Sequence, residues 1–465
     1  MQKTFFQKYK QEILWASFSI IFFLIIIFFL YRKTILNSFK FPKEKKLFQF
    51  RNLFDFLPIK IDTLKDKRKD EKETEFETET VLEGLIKVWD RPVAGYEIYS
   101  KSYTQNNFAK SIATTSVLVF IDSESGIIYE KGLNQSTSTP VAITSDNTKL
   151  VMIQKAFFLN DEEGIVRKVV LQYLDENKII KTKIATIPDL VNKLTNLINL
   201  PDNIISISTS PNNQKLIYLV AKETNVNGIK DVYSDWFLLN NIYASPEQIY
   251  TSPLTIWNLI LTNNDKIYVY EKDTAFENSN LYKLNVKDRN ENYLNNQLEK
   301  IYGDHTGLSF LMTNNNKNLV ISANTKTGIK TYLVNTFIDK SFGDNNLREI
   351  SFKTLANKCA SAYFDEFILC AVPKEIKRYD AGLPDAWYQG VASFEDNLYY
   401  LNLAKNKSEI FYDFKKSADI NVDILNLKIT PTDSHLIFIN KSDRNLWSLN
   451  LDNIRYSESE VVVEE

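Results

Sequence analysis

The chain has 465 residues, with 56 Lys and Arg against 58 Asp and Glu, so its formal net charge of -2 gives no whole-molecule electrostatic case for nucleic acid. Only two cysteines, Cys359 and Cys370, and two histidines, His305 and His435, are present, too few for a zinc cluster of the usual Cys/His kind. Aromatic and β-branched residues dominate the apolar fraction, which favours strands over helices.

After a short N-terminal tail over residues 1–12, the run ILWASFSIIFFLIIIFFLY from Ile13 to Tyr31 is charge-free and long enough to cross a bilayer as a helix. No polar stripe interrupts it, which argues against a buried helix of a soluble fold. It lacks a small-x-small cleavage pattern and is followed by Arg32 and Lys33, so it reads as an uncleaved anchor rather than a signal peptide. Orientation is contested. Lys3, Lys8 and Lys10 precede the run, whereas Arg32, Lys33, Lys40, Lys43, Lys45 and Lys46 follow it, and this count places the C-terminal part in the cytoplasm.

Residues 32–80 form a linker in two parts. The stretch from Ser38 to Ile61 interleaves Phe and Leu with Lys and Arg, a composition suited either to an anionic membrane surface or to an ordinary juxtamembrane segment. Lys65 to Thr80 is highly charged and poor in apolar residues, as in a solvated spacer.

From Val81 one phrase recurs: an apolar strand, a polar turn of Ser/Thr, Pro and Asn/Asp, then a second apolar strand. It occurs as ITSDNTKLVMI from Ile143, ISTSPNNQKLIYLV from Ile207, ILTNNDKIYVY from Ile260, LMTNNNKNLVI from Leu311 and KITPTDSHLIFI from Lys428, with KCASAYFDEFILCAV from Lys358 filling the gap. The turn residues supply the backbone geometry and the flanking runs supply the strands. Intervals of roughly 50 to 70 residues with four strands in each predict β-propeller blades, which must stack because one blade alone leaves both sheet faces bare. The expected fold is all-β, a seven-bladed propeller over residues 81–452 preceded by the single transmembrane helix, with an acidic tail over 453–465. The last unit ends near Asp452 without an outer strand, and VLEGLIKVWD from Val81 to Asp90 is placed to supply it and close the ring. An open solenoid or a pair of β-sandwiches is the alternative.

The turn phrases resemble those of TolB-like and WD-repeat-like propellers. More specifically, PVAG at Pro92, SGIIYE at Ser125, IYTSPLTIWNLI from Ile249, LYKLNV at Leu281, KC and CAVPK around Cys359 and Cys370, PDAWYQG from Pro384 and the pair SFEDNLYYLNL and NLWSLNL resemble a group of membrane-anchored propeller proteins of small-genome bacteria. The resemblance covers most of residues 90–452. It implies a seven-bladed propeller outside the cytoplasmic membrane on an N-terminal tether, and it implies no catalytic residues. The tether departs from the pattern, being charged here rather than rich in Pro and Thr.

Cys359 and Cys370 flank a predicted hairpin turn near Phe364 and Asp365. A two-residue turn would set them opposite one another, with Cα atoms about 4.5 to 5.5 Å apart, within disulfide range. A disulfide suits an exported domain, and two buried free thiols in neighbouring strands are the alternative. The segment from Pro373 to Phe394 is too long for a tight turn between strands of one blade. Asp385, Trp387 and Tyr388 within it are candidate binding anchors, on the face that also carries the loops linking blades. The alternative for Trp387 is that it folds back to plug the gap beneath its own loop. His305 with Asp304 and the lone His435 make weak acid–base candidates, because a single turn or strand-start histidine more often serves structure.

No GxSxG elbow, phosphate loop, dinucleotide glycine pattern or EF-hand loop occurs, and acidic runs such as NDEEG at Asn160 read as solvated turns. No cofactor or metal is expected. The function expected is that of a membrane-tethered, non-enzymatic module binding or scaffolding a protein or cell-envelope polymer, with the propeller facing the envelope space. Two alternatives stand beside it: a glycosidase- or lyase-type enzyme of the envelope with carboxylates in the propeller channel, and a cytoplasm-facing assembly platform recruited to the membrane.

Overall fold

The computed structural model describes residues 84–452 apart from several short loops, among them 106–110, 146–152, 287–295 and 377–381. The expected anchor Ile13–Tyr31, the linker over 32–80 and the tail over 453–465 lie outside the described residues. Among the described residues no helix is long and apolar enough to cross a membrane.

Seven antiparallel four-stranded sheets form the fold, six of them built from consecutive strands. Their first strands are Val93–Gln105, Ile153–Asn160, Ile204–Thr209, Trp257–Leu261, Ser309–Met312, Cys359–Ser361 and Ile424–Ile429, which head blades 1 to 7. Blade 7 is the exception, because its fourth strand is Leu85–Trp89, which pairs with Leu446–Asn450 in the register Leu85↔Leu449 and Lys87↔Trp447. The N-terminal strand therefore closes the ring on the C-terminal blade, as the lone apolar run ahead of Pro92 leads one to expect, and an open edge on Leu446–Asn450 is avoided.

The recurring turn phrase has one physical basis in most blades. In blades 3, 4, 5 and 7, a Ser or Thr at the start of the first turn accepts a backbone N–H on its side-chain hydroxyl, from Lys215 to Ser210, Lys266 to Thr262, Asn318 to Thr313 and His435 to Thr430. Three residues after each hydroxyl, Asn213, Asp265, Asn316 and Asp433 take left-handed backbone with φ of 56°, 63°, 60° and 54°. Asn and Asp tolerate that region because their short polar side chains bond locally. Blade 2 solves the same problem differently: Asp161 accepts from the N–H of Glu163 and Ile165, and Gly164 takes φ of 79°. The sequence NDEEG is thus the first hairpin turn of blade 2. The phrase ITSDNTKLVMI from Ile143 begins after the last strand of blade 1, Val141–Ala142, and its final residue, Ile153, opens the first strand of blade 2, while residues 146–152 of it lie outside the described residues.

Apolar layers lie between neighbouring sheets. Val119 and Ile121 of blade 1 pack with Phe158, Val169 and Leu171 of blade 2, and Ile217, Leu219 and Trp236 of blade 3 pack with Trp257, Leu259 and Val269 of blade 4. Contact at the centre is close enough that a Cβ on Gly95, in the first strand of blade 1, would stand 2.2 Å from the carbonyl oxygen of Ala156 in blade 2. The glycine in PVAG is there for that approach.

Candidate functional site

Strand direction alternates within each blade, so loops between first and second strands reach one face of the ring, and loops between second and third strands reach the other. The two faces differ in what they offer.

On the second face the long loop of blade 6 crosses the ends of blades 4 to 7. Asp385 Oδ2 accepts from Thr274 Oγ1 at 3.0 Å and from the Ala275 N–H at 2.6 Å, both in blade 4. Asn324 of blade 5 donates to the Leu383 carbonyl at 2.8 Å, and Lys441 of blade 7 donates to the Ala392 carbonyl at 3.1 Å. Trp387 is only 2% exposed, and its Nε1 donates to both oxygens of Asp423 at 2.9 and 3.0 Å. Its ring packs with Ile329, Leu355, Leu383 and Phe394. Trp387 therefore occupies the folded-back position beneath its own loop and presents no ring to solvent. Tyr388 is 40% exposed, but its hydroxyl points inward, donating to Asp273 Oδ2 at 2.6 Å and accepting from Asn357 Nδ2 at 2.7 Å. Of the three expected anchors, the indole is buried and the two polar ends are engaged within the protein.

Beneath this loop lies a buried ionic cluster. Lys358 Nζ stands 2.7 Å from Asp396 Oδ2 and 2.8 Å from Asp423 Oδ1, with Lys441 Nζ 3.7 Å from Asp423 Oδ2. Asp423 also accepts from Ser393 Oγ and the Phe394 N–H. Burial raises the Asp423 carboxyl, but the Lys358 charge and these hydrogen bonds outweigh it and hold it below the usual range. Asp396 goes the other way: burial pushes its carboxyl up despite Lys358. Nearby, burial raises Asp273 to about 6. Toward the same end of the channel, burial and the charges of Lys272 and Arg444 push the Lys155 ammonium down. Arg444, in left-handed backbone at φ of 59°, donates to the carbonyls of Val93 and Gln154.

The first face carries the open end of the channel, a cavity of about 600 Å³ lined by residues of blades 1, 2, 3, 5, 6 and 7. Glu97 of blade 1 pairs there with Lys428 of blade 7. Glu162 and Glu163 come from the blade 2 turn, Met312 from blade 5 and Tyr363 from blade 6. The blade 6 turn presents Tyr363 and Phe364, 54% and 71% exposed, with rings edge to face at 5.1 Å. Just behind them, Cys359 and Cys370 pair directly across the first two strands of blade 6, with their sulfurs 2.06 Å apart as a disulfide.

Neither histidine builds an acid–base centre. His305 Nε2 lies 3.1 Å from Asp344 Oδ1 at the surface, with its ring stacked on Tyr302, while Asp304 pairs with Lys300. His435 is buried with Nδ1 3.0 Å from Ser434 Oγ, and burial lowers its pKa. No group of three or more His, Cys, Asp or Glu is placed to hold a metal among the described residues.

Sequence inspection missed Lys358, Asp396 and Asp423, which sit 27 or more residues apart. KC at Lys358 and SFEDNLYY before Asp396 stood out as pieces of a resemblance, but nothing in their spacing joins them. It also missed Tyr363 and Phe364, whose signal was an aromatic pair inside an otherwise polar hairpin turn.

No protein-family model matches the chain, and no curated protein matches it. Among solved structures it is similar to the tricorn protease, at 9% identity and TM-score 0.41, covering 77% of this chain and 34% of that one. It is similar to the β-propeller domain of Myceliophteria thermophila Cps50 (Swd1), at 10% identity and TM-score 0.42, over 72% of this chain and 93% of that one. It is also similar to TolB from Acinetobacter baumannii, at 10% identity and TM-score 0.34, over 76% and 79%. The chain spans about a third of the tricorn protease's length. These similarities concern architecture, and the blade count rests on the strand pairing itself.

Proposed function

We propose that this protein is a non-catalytic binding module, held at the membrane by the apolar run Ile13–Tyr31 and facing the envelope space, that takes a segment of a partner protein at the channel mouth on the first face. The supporting observation is the mouth itself: a cavity of about 600 Å³ with Tyr363 at its lining and Phe364 exposed beside it. Exposed aromatics at the rim of a cavity are the usual anchors of an interface. Glu162 and Glu163 favour a basic segment. The opposite face is the poorer candidate, because Trp387 is buried there and the polar ends of Asp385 and Tyr388 are engaged within the protein.

For the enzymatic alternative, convergent carboxyls of raised pKa in the open channel are needed. Of the carboxyls that burial raises, Asp273 and Asp396 are 3% and 1% exposed and bound up beneath the blade 6 loop, and Glu366, in the first turn of blade 6, is not among the residues that line the cavity. Glu97 at the mouth is tied to Lys428.

Titration calorimetry with short synthetic peptides tests the reading. Lysine-rich peptides carrying one aromatic residue are expected to bind, weakening with salt, and their acidic counterparts are not. Replacing Tyr363 and Phe364 by serine is expected to lower affinity at least about tenfold while leaving the unfolding midpoint nearly unchanged, since both rings are exposed. Equal binding of basic and acidic peptides, or turnover of an envelope glycan by the purified protein, overturns it.

A further inference from the structure

Lys358 is the most deeply placed cation among the described residues: its side chain and that of Asp396 are 0% exposed, and that of Asp423 is 1% exposed. The rings of Trp387 and Phe394 lie over its Nζ at 4.8 and 4.9 Å. The Lys358 amine and the side chains of Asp396 and Asp423 thus share one buried pocket, with Lys441 at its edge, 17% exposed and 3.7 Å from Asp423. The two carboxyls are not equivalent. Asp423 is surrounded by donors that favour its charge, namely Trp387 Nε1, Ser393 Oγ and the Phe394 N–H. Asp396 has donors on Oδ2 alone, from Lys358 and from the Ile424 N–H at 2.7 Å, and its buried Oδ1 accepts no hydrogen bond.

We propose that Lys358 and Asp396 condense to an intramolecular amide, a covalent cross-link within blade 6. Asp423 takes a proton from the ammonium, and the freed Nζ attacks Asp396 Cγ, whose carbon lies one bond beyond an oxygen already 2.7 Å away. Oδ2 becomes the amide oxygen, and the Ile424 N–H stabilises the negative charge it carries on the way. The bond to the unpartnered Oδ1 breaks, and that oxygen leaves as water. One hydrogen remains on the amide nitrogen, two depart in the water, and the ammonium proton ends on Asp423, so the step needs no oxidant, reductant or other reactant.

Burial drives the change. Two opposite charges held out of water carry a large desolvation cost, and a neutral amide removes it. Burial favours the neutral acid over the carboxylate at Asp396, and the proton of that acid form is the fourth hydrogen in this balance. The link would tie the residue preceding Cys359 to the start of the third strand, next to the disulfide that ties Cys359 to the second.

Intact-mass measurement of the full chain after reduction decides the matter. The expected protein is lighter than its sequence by one water, about 18 Da, and trypsin fails to cut after Lys358, releasing instead a branched peptide that also contains Asp396. Lys358→Arg restores the full mass. Asp396→Asn still cross-links, with loss of ammonia rather than water. Linear tryptic peptides carrying unmodified Lys358 and Asp396, from a wild-type chain of full mass, overturn the proposal, and this holds whether or not either variant folds.

Discussion

Trp387 distinguishes a structural plug from a surface anchor, and two substitutions separate its contributions. The ring is 2% exposed among Ile329, Leu355, Leu383 and Phe394, so Trp387→Ala removes a filled volume and is expected to cost about 3 to 5 kcal/mol. Trp387→Phe keeps most of the apolar contact but strips Asp423 of the indole donor that reaches both of its oxygens. A hydrogen bond to a charged group is worth roughly 1.5 to 3 kcal/mol, so the phenylalanine variant should lose about that much. Denaturant unfolding of the purified protein, followed by intrinsic fluorescence, gives both differences from shifts in midpoint at constant slope. If each substitution costs less than about 1 kcal/mol, the ring is dispensable to the fold and Trp387 is not the plug beneath the blade 6 loop.

Asp273 gives a pH prediction. Its folded pKa of about 6, raised from 3.8 chiefly by burial, means that the native state holds the proton more tightly than the unfolded chain. The associated stability is present in full below about pH 4 and is lost as pH rises through 6, a swing of roughly 3 kcal/mol. Asp273→Asn should therefore gain stability over wild type above pH 6 and none at pH 4, and a difference independent of pH would refute it. For the disulfide, thiol labelling of the denatured native protein should find Cys359 and Cys370 reactive only after reduction, and serine at both positions should cost about 2 to 3 kcal/mol. Labelling without reductant removes the bond, and with it the support that it lends to an envelope location. Ring closure predicts that Leu85→Ala, at a buried position of the closing strand, lowers global stability by about 2 to 4 kcal/mol, whereas a strand merely appended to the ring would leave the unfolding midpoint where it was.

Much of the architecture is written locally. In blades 3, 4, 5 and 7 the hydroxyl at the start of the first turn, and the Asn or Asp in left-handed backbone three residues later, determine the turn through bonds that span only a few residues, so Ser210, Thr262, Thr313 and Thr430 mark four blades in the sequence alone. The spacing of those turns points to propeller blades without settling their number, which the strand pairing gives, and the unpaired apolar run at Leu85 points to how the ring closes.

Only the tertiary structure decided where the loops go. The sequence around Pro384 contains a polar residue and two aromatics on a long loop, and this fits an anchor as well as a plug; the burial of Trp387 depends on Asp423, 36 residues later in another blade. The Lys358, Asp396 and Asp423 cluster likewise has no spacing to recognise, because its members meet only when blades 6 and 7 stack. Turns are local and their energetics can be read from a few neighbouring residues, whereas buried charge chemistry depends on which distant groups are brought together and on the water that is excluded when they meet.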